Sequence, residues 1–265
     1  MSNTIDMNAL EPVARPLLPI FFVLDTSGSM TGQPISILNH TVEETKSILE
    51  NFAAANADAA MKIGLLEFSS GAKWMQPKGL EELKDFVYNP LTAGGLTDLG
   101  AALYELDEKL SRKAFLVSTT GRCMPIIIFM TDGQPTDDWM GGLSKIKNNK
   151  WYQHAIKIGF AVGAQANASI ISEVVGNSEA VIQTTDFETF SKMIQKIAVN
   201  SAMIGSKSRT PDQTPSGADI VKATIEELGN ENEVKTAHDS GITIIDPVIA
   251  PTNTDPDPWG SDDWD

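Results

Sequence analysis

Two uninterrupted apolar runs in this chain each stop at an aspartate. Phe21-Phe22-Val23-Leu24 runs into Asp25, and Ile126-Ile127-Ile128-Phe129-Met130 runs through Thr131 into Asp132. A strand that is continuously apolar rather than alternating is buried on both faces, as in a parallel sheet covered by helices. The carboxyl ends of such strands are where open α/β sheets place their ligands. At the first of these ends, Asp25-Thr26-Ser27-Gly28-Ser29-Met30 offers one carboxylate and two hydroxyls at alternate positions, with Gly28 permitting a tight backbone path. Taken alone, the same stretch also reads as a Ser/Gly turn after a core strand. It does not stand alone, because Gly94-Gly95-Leu96-Thr97-Asp98-Leu99-Gly100 adds a glycine-bearing turn with a hydroxyl between the two strands. All donors on offer are oxygens, which suits a hard divalent cation such as Mg2+, with Mn2+ or Ca2+ as alternatives.

The first two hundred residues alternate between strand and helix patterns. Pro34 opens a helical segment to about residue 55, with Ile35, Leu38, Val42, Leu49 and Phe52 at roughly helical spacing. Strands are expected over 61–68, 73–75, 125–130, 156–162 and 180–183, and helices over 101–110, 140–149, 167–175 and 187–203. A helical turn is expected over 81–86. This order predicts an α/β fold, a doubly wound, mostly parallel sheet flanked by helices. Asp98 is read as the cap of the helix that follows, with a water-holding acid at the cation as the alternative.

Composition narrows the function classes. Of 265 residues, 35 are Asp or Glu and 20 are Lys or Arg, a net charge of −15 that repels nucleic-acid phosphates. Cys123 is the single cysteine, so no intrachain disulfide and no Cys/His zinc site can form; it reads as a packing residue at a strand edge. There is no basic N-terminal region and no apolar run of membrane-spanning length, so a soluble, cytoplasmic protein away from membranes is expected. The three histidines, His40, His154 and His238, are scattered and read as surface or packing residues. Phosphate-loop, H-E-x-x-H and G-x-S-x-G signatures are all missing.

Together, Asp25, Ser27, Ser29, Thr97 and Asp132 resemble the metal-ion-dependent adhesion site of the von Willebrand factor A family, whose pattern is D-x-S-x-S, then a distant Thr, then a distant Asp after a strand. The resemblance implies that Ser27 and Ser29 ligate the metal through their hydroxyls and that Thr97 does so directly or through water. It places Asp25 and Asp132 mainly behind them, holding waters and orienting the serines. It further implies a protein partner that supplies an acidic residue to the metal. The stretches from Pro19 to Met30, followed by Gly32-Gln33-Pro34-Ile35, and from Phe129 to Trp139 look like the bacterial tellurite-resistance-associated (TerY-type) subgroup. That likeness covers roughly residues 17–203. It implies a cytosolic scaffold or regulator in a stress-response system, found alongside a Ser/Thr kinase and a PP2C-type phosphatase. In this reading Asp137, Asp138 and Trp139 either line the rim of the metal face or form a helix cap with Trp139 packed over it. Two alternatives accompany it. One is a phosphoryl-transfer or other metal-dependent enzyme, although Ser27 stands where a dehalogenase-like site would need its second acid. The other is a structural subunit with a vacant metal site and tail-mediated docking.

Residues 1–16 read as an N-terminal extension and 17–205 as the domain. Beyond Gly205 the character changes: residues 206–265 hold four Lys/Arg against thirteen Asp/Glu and are rich in Pro, Ser and Thr, the mark of a linker and acidic, largely irregular tail. Within it, 218–228 suits one amphipathic helix through Ile220, Val221, Ile225 and Leu228, and Ile242-Thr243-Ile244-Ile245 is β-prone. The end of the chain is read either as a solvated acidic terminus or as a docking peptide anchored by Trp259 and Trp264. Thr210-Pro211 and Thr214-Pro215 offer phosphorylation sites, and a tail carboxylate completing the metal shell in cis is a further option.

Overall fold

The computed structural model describes residues 15–132, 134–163, 166–184, 187–208, 210–230 and 243–244. The central strand β1 (Leu17–Asp25) is buried along its whole length and lies between two parallel neighbours. These are β2 (Ala60–Ser69) on one side and β5 (Ile126–Thr131) on the other. The sheet extends past β5 through β6 (Ile156–Val162) and β7 (Val181–Thr184), both parallel. Three short antiparallel strands finish it: β3 (Gly71–Trp74) and β4 (Glu81–Glu82) on β2, and β8 (Thr243–Ile244) on β7. Strand order is therefore β3-β2-β1-β5-β6-β7-β8, with β4 also on β2.

The helices divide between the two faces as the crossovers demand. On one face lie α1 (Gln33–Ala55) and α6 (Phe187–Gly205); on the other lie α2 (Leu99–Lys109), α3 (Trp139–Ile146), the single turn α4 (Lys150–Gln153) and α5 (Ala168–Val175). Alternate residues of β1 feed the two layers. Leu18, Ile20, Phe22 and Leu24 pack with Leu38 and Val42 of α1 and Ile194 and Ile197 of α6. Phe21 and Val23 pack with Leu103 and Leu106 of α2 and Leu143 of α3. Each such fully buried side chain contributes about 1.5–3 kcal/mol of hydrophobic stabilisation. The chain leaves β1 on one side toward β2 and later returns on the other toward β5 and β6. The strand order thus reverses between β1 and β5, and the carboxyl ends of those two strands open a crevice there.

The doubly wound, mostly parallel sheet is as the sequence predicts. Local differences have physical causes. Residues 81–86 are not a plain helical turn: Glu81 and Glu82 first pair with Ile63 and Lys62 of β2, and the chain then turns through bonds from Asp85 and Phe86 N–H to Glu82 O. The helix expected over 140–149 ends at Ile146, because the Asn149 side chain accepts from Trp151 and Tyr152 N–H and starts α4.

The boundary placed after Gly205 is not a break in packing. Ser206 and Ser208 are buried, their hydroxyls donating to Met203 O and to Ile204 and Gln213 O. A further helix, α7 (Gly217–Asn230), buries Ala218, Ile220, Val221 and Thr224 against the body, and Asn200 of α6 donates to Thr224 Oγ1. The amphipathic pattern of 218–228 is thus a packed helix, and residues 206–216 are its connection. Trp259 and Trp264 lie outside the described residues. No helix among the described residues is long and apolar enough to cross a membrane. Ile220→Ala is expected to lower stability in urea unfolding by about 2–5 kcal/mol, the range for truncating a buried isoleucine. A loss below about 0.5 kcal/mol, typical of an exposed position, would mean that α7 does not belong to the folded unit.

Candidate functional site

β1 ends on Asp25, which is fully buried because the strand carries it into the sheet before the chain can turn. Its carboxylate is held at both oxygens. Ser27 N–H donates to Oδ1 at 2.8 Å, and Thr131 Oγ1 donates to Oδ2 at 2.6 Å from the adjacent β5. Burial pushes the Asp25 carboxyl above its ordinary range; the bonds from Ser27 and Thr131 oppose that, and the nearby charge of Asp132 adds to it. No basic side chain is among the charges acting on it. After Asp25 the chain makes a 3-10 turn, Gly28–Met30, which folds Ser29 back toward Ser27. The two hydroxyl oxygens come to 3.0 Å, with Ser27 buried and Ser29 exposed.

The loop carrying Thr97 is laced to this turn. Gly28 N–H donates to Gly95 O at 3.1 Å, and Gly94 N–H donates to Thr26 O at 2.8 Å. Gly95 has φ of 85°, and a Cβ there would come within 2.7 Å of Ser70 Oγ, so only glycine suits the position. Thr97 is buried and is clamped by Thr136: Thr97 N–H donates to Thr136 Oγ1 at 3.0 Å, and Thr136 N–H to Thr97 O at 2.8 Å. Asp132, also buried, follows β5 directly, and its carboxylate accepts from Gln134 N–H at 3.3 Å. The five residues singled out in the sequence are therefore gathered on loops at the carboxyl ends of β1, β2 and β5, with Asp25 and Asp132 near enough to interact by charge.

Asp98 does not cap α2. It stands at the capping position, but its carboxylate accepts from Gly71 N–H at 2.7 Å and Thr136 Oγ1 at 3.4 Å. The cap comes from the other strand loop: Asp137 accepts from Gly100 and Ala101 N–H, each at 2.9 Å. Asp138 caps its own helix, α3, through Gly141 N–H at 3.0 Å. These acids hold helix ends and loops together, and half-buried Trp139 sits at the start of α3. Thr131 and Thr136 were not singled out by sequence, yet they fix Asp25 and Thr97. Their one legible signal is position, since each lies within four residues of Asp132.

Chemically the site gathers three hydroxyl-bearing residues, Ser27, Ser29 and Thr97, and two buried carboxylates, Asp25 and Asp132, on neighbouring loops. Among the described residues there is no group of three or more His, Cys, Asp or Glu able to hold a metal. The donor set is instead mixed, and it fits a hard cation: oxygens only, a pair of hydroxyls already 3.0 Å apart, and acidic charge without a basic counterpart. Among the described residues no histidine stands in this crevice. His40 pairs with Glu44 on α1, and His154 lies before β6 at the other end of the sheet. Cys123 is buried, with its thiol 3.7 Å from Ser206 O.

A sequence profile of the von Willebrand factor type A domain matches residues 20–196. Solved structures of similar fold include the pilus adhesin SpaC from Lactobacillus rhamnosus GG, at 13% identity over 71% of this chain and 30% of that one, TM-score 0.53. A von Willebrand factor type A structure from Catenulispora acidiphila gives 14% identity over 72% and 43%, TM-score 0.51. Proximal thread matrix protein 1 from the mussel byssus gives 19% over 71% and 48%, TM-score 0.50, and has also been solved with a zinc-occupied MIDAS motif. This chain spans less than half the length of these proteins, and at such identities the likeness is one of fold.

Asp137→Ala is expected to cost about 1 kcal/mol of stability, as for loss of a helix cap, and to speed amide hydrogen exchange at Gly100 and Ala101. Asp98→Ala is expected to leave those two amides protected and to release that of Gly71. Equal exchange at Gly100 in both variants would return the cap to Asp98.

Proposed function

Because this chain belongs to the von Willebrand factor type A domain family, we propose that it is a non-catalytic, metal-dependent protein-interaction module. The observation that carries this reading is the Ser27 Oγ–Ser29 Oγ pair at 3.0 Å, in a turn whose backbone is bonded to the buried Asp25 carboxylate. Ser27, Ser29 and Thr97 would hold a divalent cation through their hydroxyls, and Asp25 and Asp132 would supply compensating charge and orient the serines from behind. When bound, the cation supplies an electrophilic position that accepts a carboxylate oxygen from a partner protein. The chain's own residues do the rest. Thr131 and the Ser27 amide keep Asp25 aimed at the loop, Thr136 keeps Thr97 in place, and Gly95 lets the two loops touch.

Two ionised carboxylates balance the formal charge of a divalent ion, but with neutral hydroxyls as its direct donors its open face would stay electrophilic, which favours an acidic partner over a neutral one. Mg2+ is the expected ion, given the small all-oxygen donor set and its preference for keeping waters, with Mn2+ or Ca2+ as alternatives. The zinc-occupied motif in the mussel protein supports divalent binding on this fold. The resemblance of residues 19–35 and 129–139 to the tellurite-resistance-associated subgroup extends the reading to a cytosolic stress-response scaffold or regulator, partnered by a Ser/Thr kinase or a PP2C-type phosphatase. Among the described residues no His stands by Ser27 or Ser29 to act as base, which favours binding over hydrolysis.

Two measurements test this. The full chain is expected to take up Mn2+, followed by loss of the free-ion electron paramagnetic resonance signal and reversed by excess Mg2+, whereas Ser27→Ala/Ser29→Ala is expected to take up none. Both proteins should keep the same circular dichroism, since Asp25 retains its bonds from the Ser27 amide and from Thr131 in the double variant. Equal uptake by both would place the ion elsewhere. In pull-downs from the native cell, the partner is expected to be lost with EDTA and with the double variant. Capture unchanged in both arms would remove the metal from recognition.

A further inference from the structure

The end of the sheet opposite the metal loops carries a cavity of about 430 Å³. It lies at the amino ends of β6 and β7, between the α4–β6 connection, the end of α5 and segment 211–217, and its lining includes Lys147, His154, Lys157, Asn177 and Ala180. Lys157 is half-buried with no acid acting on it. Its Nζ donates to the carbonyl oxygens of Tyr152, Gln153 and Ala155 at 2.7, 3.2 and 3.3 Å, and lies 4.9 Å from the centre of the Tyr152 ring. Burial draws its ammonium down to about 8, which still leaves it charged at neutral pH. Lys147 is exposed on the rim, and neither lysine makes an ion pair among the described residues. Asp212 is the acid that acts on His154, against the opposing charge of Lys157. In a chain of net charge −15, this corner holds two cations, Lys147 and Lys157, the second bonded only to neutral carbonyls, while Asp212 and Asp219 lie on the flanking segment, Asp219 bonded to Ser216.

The direction of the chain supplies the second half of the argument. β8 runs antiparallel to β7, with Thr243 opposite Gln183 and Ile244 opposite Ile182. It therefore descends β7 toward Val181 and Ala180, the latter a wall of the cavity. The sequence that follows, residues 245–265, contains six aspartates and no lysine or arginine. We propose that this cavity is the docking site of the chain's own acidic segment 246–265, whose carboxylates lie against the Lys147–Lys157 corner. Lys147 supplies the accessible cation. Lys157, its protons already taken by carbonyls, supplies potential rather than a hydrogen bond.

Reach alone does not choose this site. Twenty-one residues extend at most about 70 Å, enough to touch either end of the sheet. Charge and exit direction choose it. With no cation bound, the opposite loops carry Asp25, Asp98, Asp132, Asp137 and Asp138, which repel an acidic peptide, while β8 runs along β7 in the direction of the cavity. Tethering then makes the docking intramolecular, so a weak charge pair suffices.

The test uses the full chain with Ser261→Cys carrying a nitroxide spin label; Cys123 is fully buried and shielded from the reagent. Expected is loss of amide resonance intensity at Gln153–Lys157, Gly176–Ala180 and Thr214–Gly217, recovered on reducing the label. Recovery is also expected in 0.5 M salt, where the screening length falls to a few ångströms, and in Lys147→Glu. Loss centred on Ser27, Thr97 and Asp132 would instead make the segment a ligand of the metal face. Loss only between labelled and isotope-labelled copies mixed together would make the contact one between molecules. No site-specific loss, or loss unchanged by Lys147→Glu, would equally overturn the proposal.

Discussion

A carboxylate buried at the switch point of a parallel sheet is the constraint around which this structure is arranged. Asp25 is carried inside because the strand before it is apolar on both faces, and an ionised group there is tolerable only if its oxygens are satisfied. One oxygen is met by the turn that follows and the other by Thr131 of the next strand. The first bond shapes the turn that presents Ser27 and Ser29. The second couples β1 to β5, and so sets Asp132 beside the same crevice. What remains is two buried carboxylates with the Ser27–Ser29 hydroxyl pair close by, an arrangement that the proposed cation would stabilise.

The acids around that crevice have separate tasks. Asp25 and Asp132 lie buried beneath it. Asp98, Asp137 and Asp138 are spent largely on backbone N–H groups, tying the β4–α2 loop to the β2–β3 turn and to the β5–α3 loop, and closing the starts of α2 and α3. The two helices cross so closely that a Cβ on Gly142 would come within 2.8 Å of Gly100 O. Thr97 therefore sits on a loop braced from three directions. Braced donors lose little conformational freedom on taking up a ligand, and a preorganised interaction site needs that property.

At the other end of the sheet the chain uses its charge differently. Lys157 is held by carbonyl dipoles instead of an acid, next to the connection that leads into α7. The two ends of the domain thus differ in charge, with five aspartates at the loops and two lysines at the cavity, and this difference underlies the proposed docking of the acidic segment when no cation is bound.

The sequence by itself determined the sheet, the helices around it and the five oxygen-bearing residues of the crevice. Continuous apolar runs can only be doubly covered strands, and Asp-x-Ser-x-Ser after such a run has few other places to go. Tertiary structure alone decided which acid does what. Asp98 has every local mark of a cap, but the nearest free N–H for it belongs to Gly71, and α2 is capped by Asp137, thirty-seven residues beyond Gly100. The same holds for 206–230: Pro, Ser and Thr read locally as a linker, while Ser206 and Ser208 are buried and Ile220 and Val221 join the core. Local propensity reports which conformations a segment tolerates. Which donors and apolar faces lie waiting for it is a property of residues far along the chain, and only the fold brings them together.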